Sequence, residues 1–174
     1  DLSLNQNDYR AGERTFQLLT QAAGRAGRGE KPGEVVIQTY QPEHYSIVHA
    51  ARQDYQGFYE EEITYRDFMS YPPVSHMLAV LVTSREQEQG EKLVRHMAEE
   101  IECRRKQEWQ KLQVIGPTLA SISKINDLYR HVFYVKHRDY QVLVEIKDIL
   151  ERYCKTEESK NQTVQYDFDP MNTY

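Results

Sequence analysis

Apolar residues near the start of the chain recur at helical spacing. Phe16, Leu19 and Ala23 fall on one side of a helix over 13–23, the rhythm of a helix that buries one face. Gly24 and Gly27 predict its end, because glycine weakens a helix and permits a turn. Lys31-Pro32-Gly33 is a turn signal. Val35-Val36-Ile37-Gln38-Thr39-Tyr40 then reads as a short strand stopped by Pro42. Pro42 and Glu43 suit the first turn of a helix with Ile47, Val48 and Ala51 on its inner side. Residues 54–69 predict a polar helix carrying Tyr55, Phe58, Tyr59, Ile63, Tyr65 and Phe68, with the acidic run Glu60-Glu61-Glu62 as a solvated face. Tyr71-Pro72-Pro73 breaks that helix. A domain boundary is expected within 58–75, separating 1–57 from 76–174.

Beyond the break the pattern becomes orderly. His76–Ser84 alternates, with Leu78, Val80 and Val82 on one face. Residues 86–109 predict a long helix with Leu93, Val94, Met97, Ala98 and Ile101 in its apolar stripe; Trp109 would end it and pack against the sheet. Leu112–Ile115 is a short strand ended by Gly116-Pro117. Ile122–Ile125 and Arg130–Lys136 flank Asn126-Asp127, a hairpin-type signal. Asp139–Tyr153 is a second helix, with Leu143, Ile146 and Leu150 inside, and Thr163–Phe168 a final strand. The order β-α-β-β-α-β is that of a split βαβ, ferredoxin-like sheet with helices on one face. The fold class is therefore α/β in the broad sense, α+β in detail.

Composition narrows the picture. With 39% hydrophobic and 28% charged residues, the 174-residue chain can build an ordinary core. Its 13 tyrosines favour strands, half-buried surfaces and base stacking. A net charge of −5 argues against a protein that coats DNA through overall basicity, although a local patch, rather than total charge, governs phosphate contact. No apolar run approaches the roughly 18 residues of a membrane span, and no signal-peptide pattern opens the chain. The two cysteines, Cys103 and Cys154, lie far apart and suit a reduced, cytoplasmic compartment. Neither has the Cys or His neighbours of a zinc site. The six histidines are scattered and read as surface or core residues.

Specific chemistry concentrates in Gln21-Ala22-Ala23-Gly24-Arg25-Ala26-Gly27-Arg28. Hydrolysis of a nucleoside triphosphate builds negative charge on the γ-phosphate, which guanidinium groups supplied from a second lobe stabilise without reorganisation. Two arginines three residues apart at a helix end can point into one cleft, and the planar fork of arginine engages two phosphate oxygens at once. The bland alternative is a helix C-terminus with glycine stops and two surface arginines answering the helix dipole.

Within Arg14 to Gly33 this string resembles the sixth motif of superfamily-2 helicases, in the form found in the primosomal protein N′ family of replication-restart helicases. Asp8-Tyr9-Arg10-Ala11-Gly12-Glu13-Arg14 resembles the family's lead-in to the motif. Gly33 to Tyr40, with Pro42-Glu43-His44-Tyr45, resembles the strand closing its second motor lobe. Tyr55, Phe58 to Ile63 and Tyr71-Pro72-Pro73 resemble the entry to its C-terminal domain. Gly116-Pro117, Tyr129-Arg130 and Asp167-Phe168-Asp169-Pro170 resemble landmarks within that domain. The likeness spans essentially the whole chain, dense in the first half and sparse after residue 85, and places Tyr174 close to the family's C-terminus.

The resemblance implies the end of a RecA-like helicase lobe 2 over residues 1–57, followed by an S10-like C-terminal domain over 76–174. The parent would be a cytoplasmic, nucleoid-associated, ATP-dependent 3′-to-5′ DNA helicase and hydrolase of replication restart and primosome assembly. Arg28 would be its arginine finger, Arg25 a second phosphate or interlobe contact, and Gln21 the coupling residue. ATP, Mg²⁺ and zinc belong to the parent. No Gly-Lys-Ser/Thr loop, Asp-Glu magnesium site or set of zinc cysteines is present here, so this piece alone is expected to hydrolyse no ATP. The family's C-terminal domain is implicated in DNA binding. Lys124, Tyr129 and Arg130, beside His131 and Tyr134 at the predicted hairpin, could contact phosphates and stack a base; an ordinary sheet with polar surface positions is the alternative. Arg138, just before the second helix of this domain, could dock an acidic tail such as that of single-stranded-DNA-binding protein, or be a solvated arginine. Other primosome proteins are further expected partners.

Two rival readings remain. One is a stand-alone RNA-binding or ribosome-associated ferredoxin-like module, which leaves Gln21 to Arg28 unexplained. The other is a structural dimerisation domain; apolar edges left open in residues 1–57 would also favour self-association.

Overall fold

Strand-forming residues are densest at His76–Ser84 (β1), and that strand is buried on both faces along most of its length. It lies inside the second of two units into which the chain divides, Asp1–Met69 and Ser70–Tyr174. The computed structural model describes residue 4 and residues 8–26, 34–155 and 161–174.

The first unit contains the helices α1 (Ala11–Ala26), α2 (Tyr45–Arg52) and α3 (Tyr55–Phe68). Its small core joins Phe16, Ala50 and Phe58, with the two phenylalanine rings stacked at 4.2 Å. The caps follow from residue type. Asp54 accepts the Gly57 N–H at 2.9 Å to open α3. Gln53 closes α2 in the left-handed region at φ 53°. Several expectations are corrected here. α1 ends at Ala26, within the expected Gly24–Gly27 stop, but it begins at Ala11 rather than Glu13. Residues 34–39 form no strand; a lone extended segment gains nothing without a neighbour to pair with. Ala51 is exposed rather than inward. The three acids of α3 are not one solvated face. Glu62 is buried, accepts hydrogen bonds from Tyr45 and Arg66 at 2.7 Å each, and shares Arg66 with Glu13. Among the described residues of this unit there is no strand, so the sheet of a RecA-like lobe is not among them.

The second unit is an α+β sandwich. β1, β2 (Gln113–Ile125), β3 (Leu128–His137) and β4 (Gln162–Phe168) form an antiparallel sheet in the order β2-β3-β1-β4. The helices α4 (Gln87–Cys103) and α5 (Tyr140–Cys154) follow β1 and β3. This is the β-α-β-β-α-β order read from the pattern. The core joins Leu78, Val80 and Val82 of β1 and Phe133 and Val135 of β3 to Leu93, Met97 and Ile101 of α4 and Leu143, Ile146 and Leu150 of α5. Leu81, Ala120 and Val132 form a smaller cluster on the other face, with Tyr134 and Tyr174 against it.

Two elements depart from expectation. α4 ends at Cys103, and Trp109 belongs to a separate 3-10 turn over Gln107–Trp109. Arg104 and Arg105 turn back onto Glu100 and Glu102, and the chain then drops the indole into the core, 1% exposed. The two short pieces expected around Gly116-Pro117 are one strand, β2. It keeps its pairing with β3 through register shifts between Ile115 and Thr118 and between Leu119 and Lys124; such irregularities bend a strand without ending it.

Candidate functional site

On α1, Gln21 and Arg25 are one turn apart and both exposed, the spacing that puts two side chains on one helical face. Arg28 lies outside the described residues. The buried side of the same helix, Ala11, Gly12, Thr15 and Phe16, faces the unit's interior, whereas Gln21 and Arg25 lie on its exposed side.

The β2–β3 hairpin turns at Asn126 and Asp127, both with positive φ (49° and 60°), as a two-residue turn of matching twist requires. Lys124 reaches Asp127 at 3.1 Å and lies 4.9 Å from the centre of the Tyr129 ring. The Asp127 carboxylate raises its pKa, so the amine is cationic at neutral pH. One strand position further along β3, Arg130 donates to the Ile122 carbonyl at 3.0 Å and lies over the Tyr174 ring at 5.8 Å. Tyr174 is itself held in place: its N–H donates to Tyr134 Oη and its hydroxyl to Asp167, each at 2.8 Å. The hairpin thus sets Lys124 beside Tyr129 and, from the opposite face of β3, Arg130 beside Tyr174, a partner that no local spacing signals.

A second basic place adjoins the start of α5. A cavity of about 400 Å³ is lined by Lys111, Lys136, His137 and Arg138, with Ser75 and Gln113 among its polar neighbours. Lys136 is 3% exposed. Its ammonium rests 3.5 Å from the centre of the Tyr71 ring, a cation–π contact. Burial pushes its amine down to about 8. Arg138 is exposed at this rim. The anion attraction expected from the α5 N-terminus is already met, because Asp139 accepts the Gln141 N–H at 2.9 Å. What remains for an anion is the cluster of cations. Lys136 was not singled out from the sequence. Its place in an alternating strand signalled an even-numbered face, but not that Tyr71 would cover it.

Among the described residues no helix is long and apolar enough to cross a membrane. Neither Cys103 nor Cys154 forms a disulfide among the described residues, and the Cys154 thiol lies 3.8 Å from the Tyr166 hydroxyl.

Relatives with these elements are replication proteins by name. The chain is 37% identical over 171 residues to the replication restart protein PriA of Bacillus subtilis, covering 98% of this chain and 21% of that protein. It is 33% identical over 172 residues to PriA of Synechocystis, covering 99% and 20%. With PriA of Thermotoga maritima it shares 37% identity over 134 residues, covering 77% and 17%. The chain therefore spans about one fifth of the length of these relatives. Residues 68–171 match the sequence profile described as the primosomal protein N C-terminal domain. That match takes in the whole sheet and both of its helices, and the chain belongs to the primosomal protein N C-terminal domain family.

Proposed function

We propose that this chain is the C-terminal part of an ATP-dependent 3′-to-5′ DNA helicase of replication restart, and that its own task is to hold DNA and a protein partner beside the motor. The observation that carries the DNA reading is the hairpin, where Lys124 and Arg130 each lie beside an aromatic ring, Tyr129 and Tyr174. Cations there meet phosphates, and the rings offer faces to unpaired bases. The test is fluorescence anisotropy with labelled single-stranded, duplex and forked DNA across a salt series. Salt-dependent binding that weakens and flattens in the Lys124→Ala/Arg130→Ala variant is expected. Binding unaffected by that variant would assign DNA contact elsewhere.

The partner reading rests on the basic cavity. An acidic peptide tail, as on single-stranded-DNA-binding protein, would set a carboxylate against Arg138 and Lys111. A tail peptide is expected to bind the chain and to lose at least tenfold in affinity on Arg138→Ala; equal affinity would return Arg138 to the solvated surface.

The third part of the reading places Gln21, Arg25 and Arg28 at the edge of an ATP site completed by the rest of the motor, where Mg²⁺-bound ATP supplies the γ-phosphate. Arginines in this role stabilise charge on the transferring group. Arg28→Ala in the complete helicase is expected to lower ATP turnover by about 10³-fold or more, and the 174-residue chain alone is expected to show no DNA-stimulated ATPase. Unchanged turnover in the complete enzyme removes the finger assignment.

A further inference from the structure

His131 is 2% exposed, and neither of its ring nitrogens has a hydrogen-bond partner among the described residues. Buried polar atoms of this kind are uncommon and call for an occupant. The ring has a place made for it. A Cβ at Gly90 of α4 would lie 2.9 Å from His131 Nδ1, so the glycine admits the imidazole against the helix. Along β3, His131 stands opposite Leu119 of β2 on one side and Val82 of β1 on the other.

The same ring lines a cavity of about 250 Å³ between α4 and β2. This is below the roughly 300–1,000 Å³ of sites for drug-sized ligands, so it suits one ring system and not a whole nucleotide. Val94, Pro117 and Leu119 give the lining an apolar part, and Thr118 and Gln87 a polar one. Glu91 and Arg95 also line it but neutralise each other at 2.7 Å, which leaves no net charge to draw an ion. Burial lowers the pKa of His131, so the imidazole is neutral and offers one donor and one acceptor. The register of β2 shifts on either side of Thr118 and Leu119, the kind of irregularity found beside binding sites.

We propose that the cavity walled by His131, Val94, Pro117, Thr118 and Leu119 binds a single uncharged, planar, hydrogen-bonding ring of nucleobase type. The inference rests on the DNA reading for the source of that ring, since Tyr129 of the hairpin lies two residues before His131, on the same face of β3. It does not need the phosphate contacts themselves.

The test uses the four deoxynucleosides, which carry no phosphate. The 174-residue chain is titrated with each while the Gly90 amide and the His131 side-chain resonances are followed by NMR. Saturable shifts at both positions are expected with at least one nucleoside. They are expected to disappear in His131→Phe, which keeps a ring but removes its hydrogen bonds, and in Leu119→Trp, which fills the mouth from an exposed position. No shift at either residue with any nucleoside overturns the proposal, as do shifts that persist unchanged in His131→Phe. Nucleoside shifts that survive in the Lys124→Ala/Arg130→Ala variant support it even where oligonucleotide binding proves independent of the hairpin. Oligonucleotide binding without nucleoside shifts sinks this inference alone.

Discussion

Lys136 carries its charge into the sheet at a position where neighbouring strands exclude water, and the ring of Tyr71 is one of its contacts there. The unfolded chain keeps a lysine proton up to about pH 10.4, whereas the folded chain releases this one near 8. Between those values the unfolded state binds more protons, so folding stability attributable to Lys136 rises with pH; below the lower value the full penalty is present. Lys136→Met is therefore expected to stabilise the protein at pH 7 by about 1–2 kcal/mol, after allowing for the lost ring contact, and by much less at pH 10. Urea unfolding of both proteins at the two pH values checks this, and an equal gain at both would show that charge burial is not the cause. Arg66 is the opposite case, a buried cation with two carboxylates, Glu13 and Glu62. Arg66→Met leaves those carboxylates without it and is expected to cost about 3–5 kcal/mol, seen as a lower urea midpoint for the first unit. The pairing of Arg66 with Glu62 is visible in sequence as a four-residue step on one helix. The contacts to Glu13 and Tyr45 are not, because they depend on how α1 and α2 meet α3.

At the level of elements, the pattern of apolar residues found every strand of the sheet and both of its helices, and it found α1 to α3 as well. Period carries that information, since a strand or helix with one buried face must repeat it. The failures have a different origin. Trp109 continued the polar end of α4 in sequence but was claimed by the core, and burial of an indole outweighs the propensity of a few residues. Val35–Tyr40 has the composition of a strand, yet a strand exists only through its neighbours. Gly116-Pro117 looked like the end of β2 and is instead a point within it. Gly116 takes φ +99°, and a Cβ there would sit 3.1 Å from the Val132 carbonyl oxygen. Gly116→Ala is expected to cost about 1–3 kcal/mol, measurable by thermal unfolding, with added chemical-shift changes at Val132 and Phe133. A variant as stable as the parent would mean that the strand relaxes around the new methyl group.

At the scale of the molecule, the two units differ in what they can support. The second owns a core drawn from β1, β3, two helices, Trp109 and Leu112. The first relies on Phe16, Ala50 and Phe58 and leaves Val36, Tyr40 and Phe68 more than 80% exposed. Residues 70–174 on their own are expected to unfold in one cooperative transition and to sediment as a monomer, while the 174-residue chain self-associates with concentration through its exposed apolar side chains. Association of residues 70–174 to the same extent would move the sticky surface to the sheet domain. Of the candidate sites, the hairpin and Arg138 were legible because turn residues and an N-cap announce themselves locally. The Tyr174 contact, the Lys136 cavity and the seat of His131 were not, because each is made by residues that the fold alone brings together.

The order β2-β3-β1-β4 has a consequence in time. β1 is the first strand of the sheet to leave the ribosome, yet one of its two neighbours is β4, the last. Until β4 has emerged, the strand richest in buried apolar residues keeps an unpaired edge, and Asp169 has not yet closed the pair through its bonds to Met77 and His76. Completion of this sheet therefore waits for its last strand. A chain that lacks β4 leaves that edge of β1 open to chaperones, proteases and the edges of other strands.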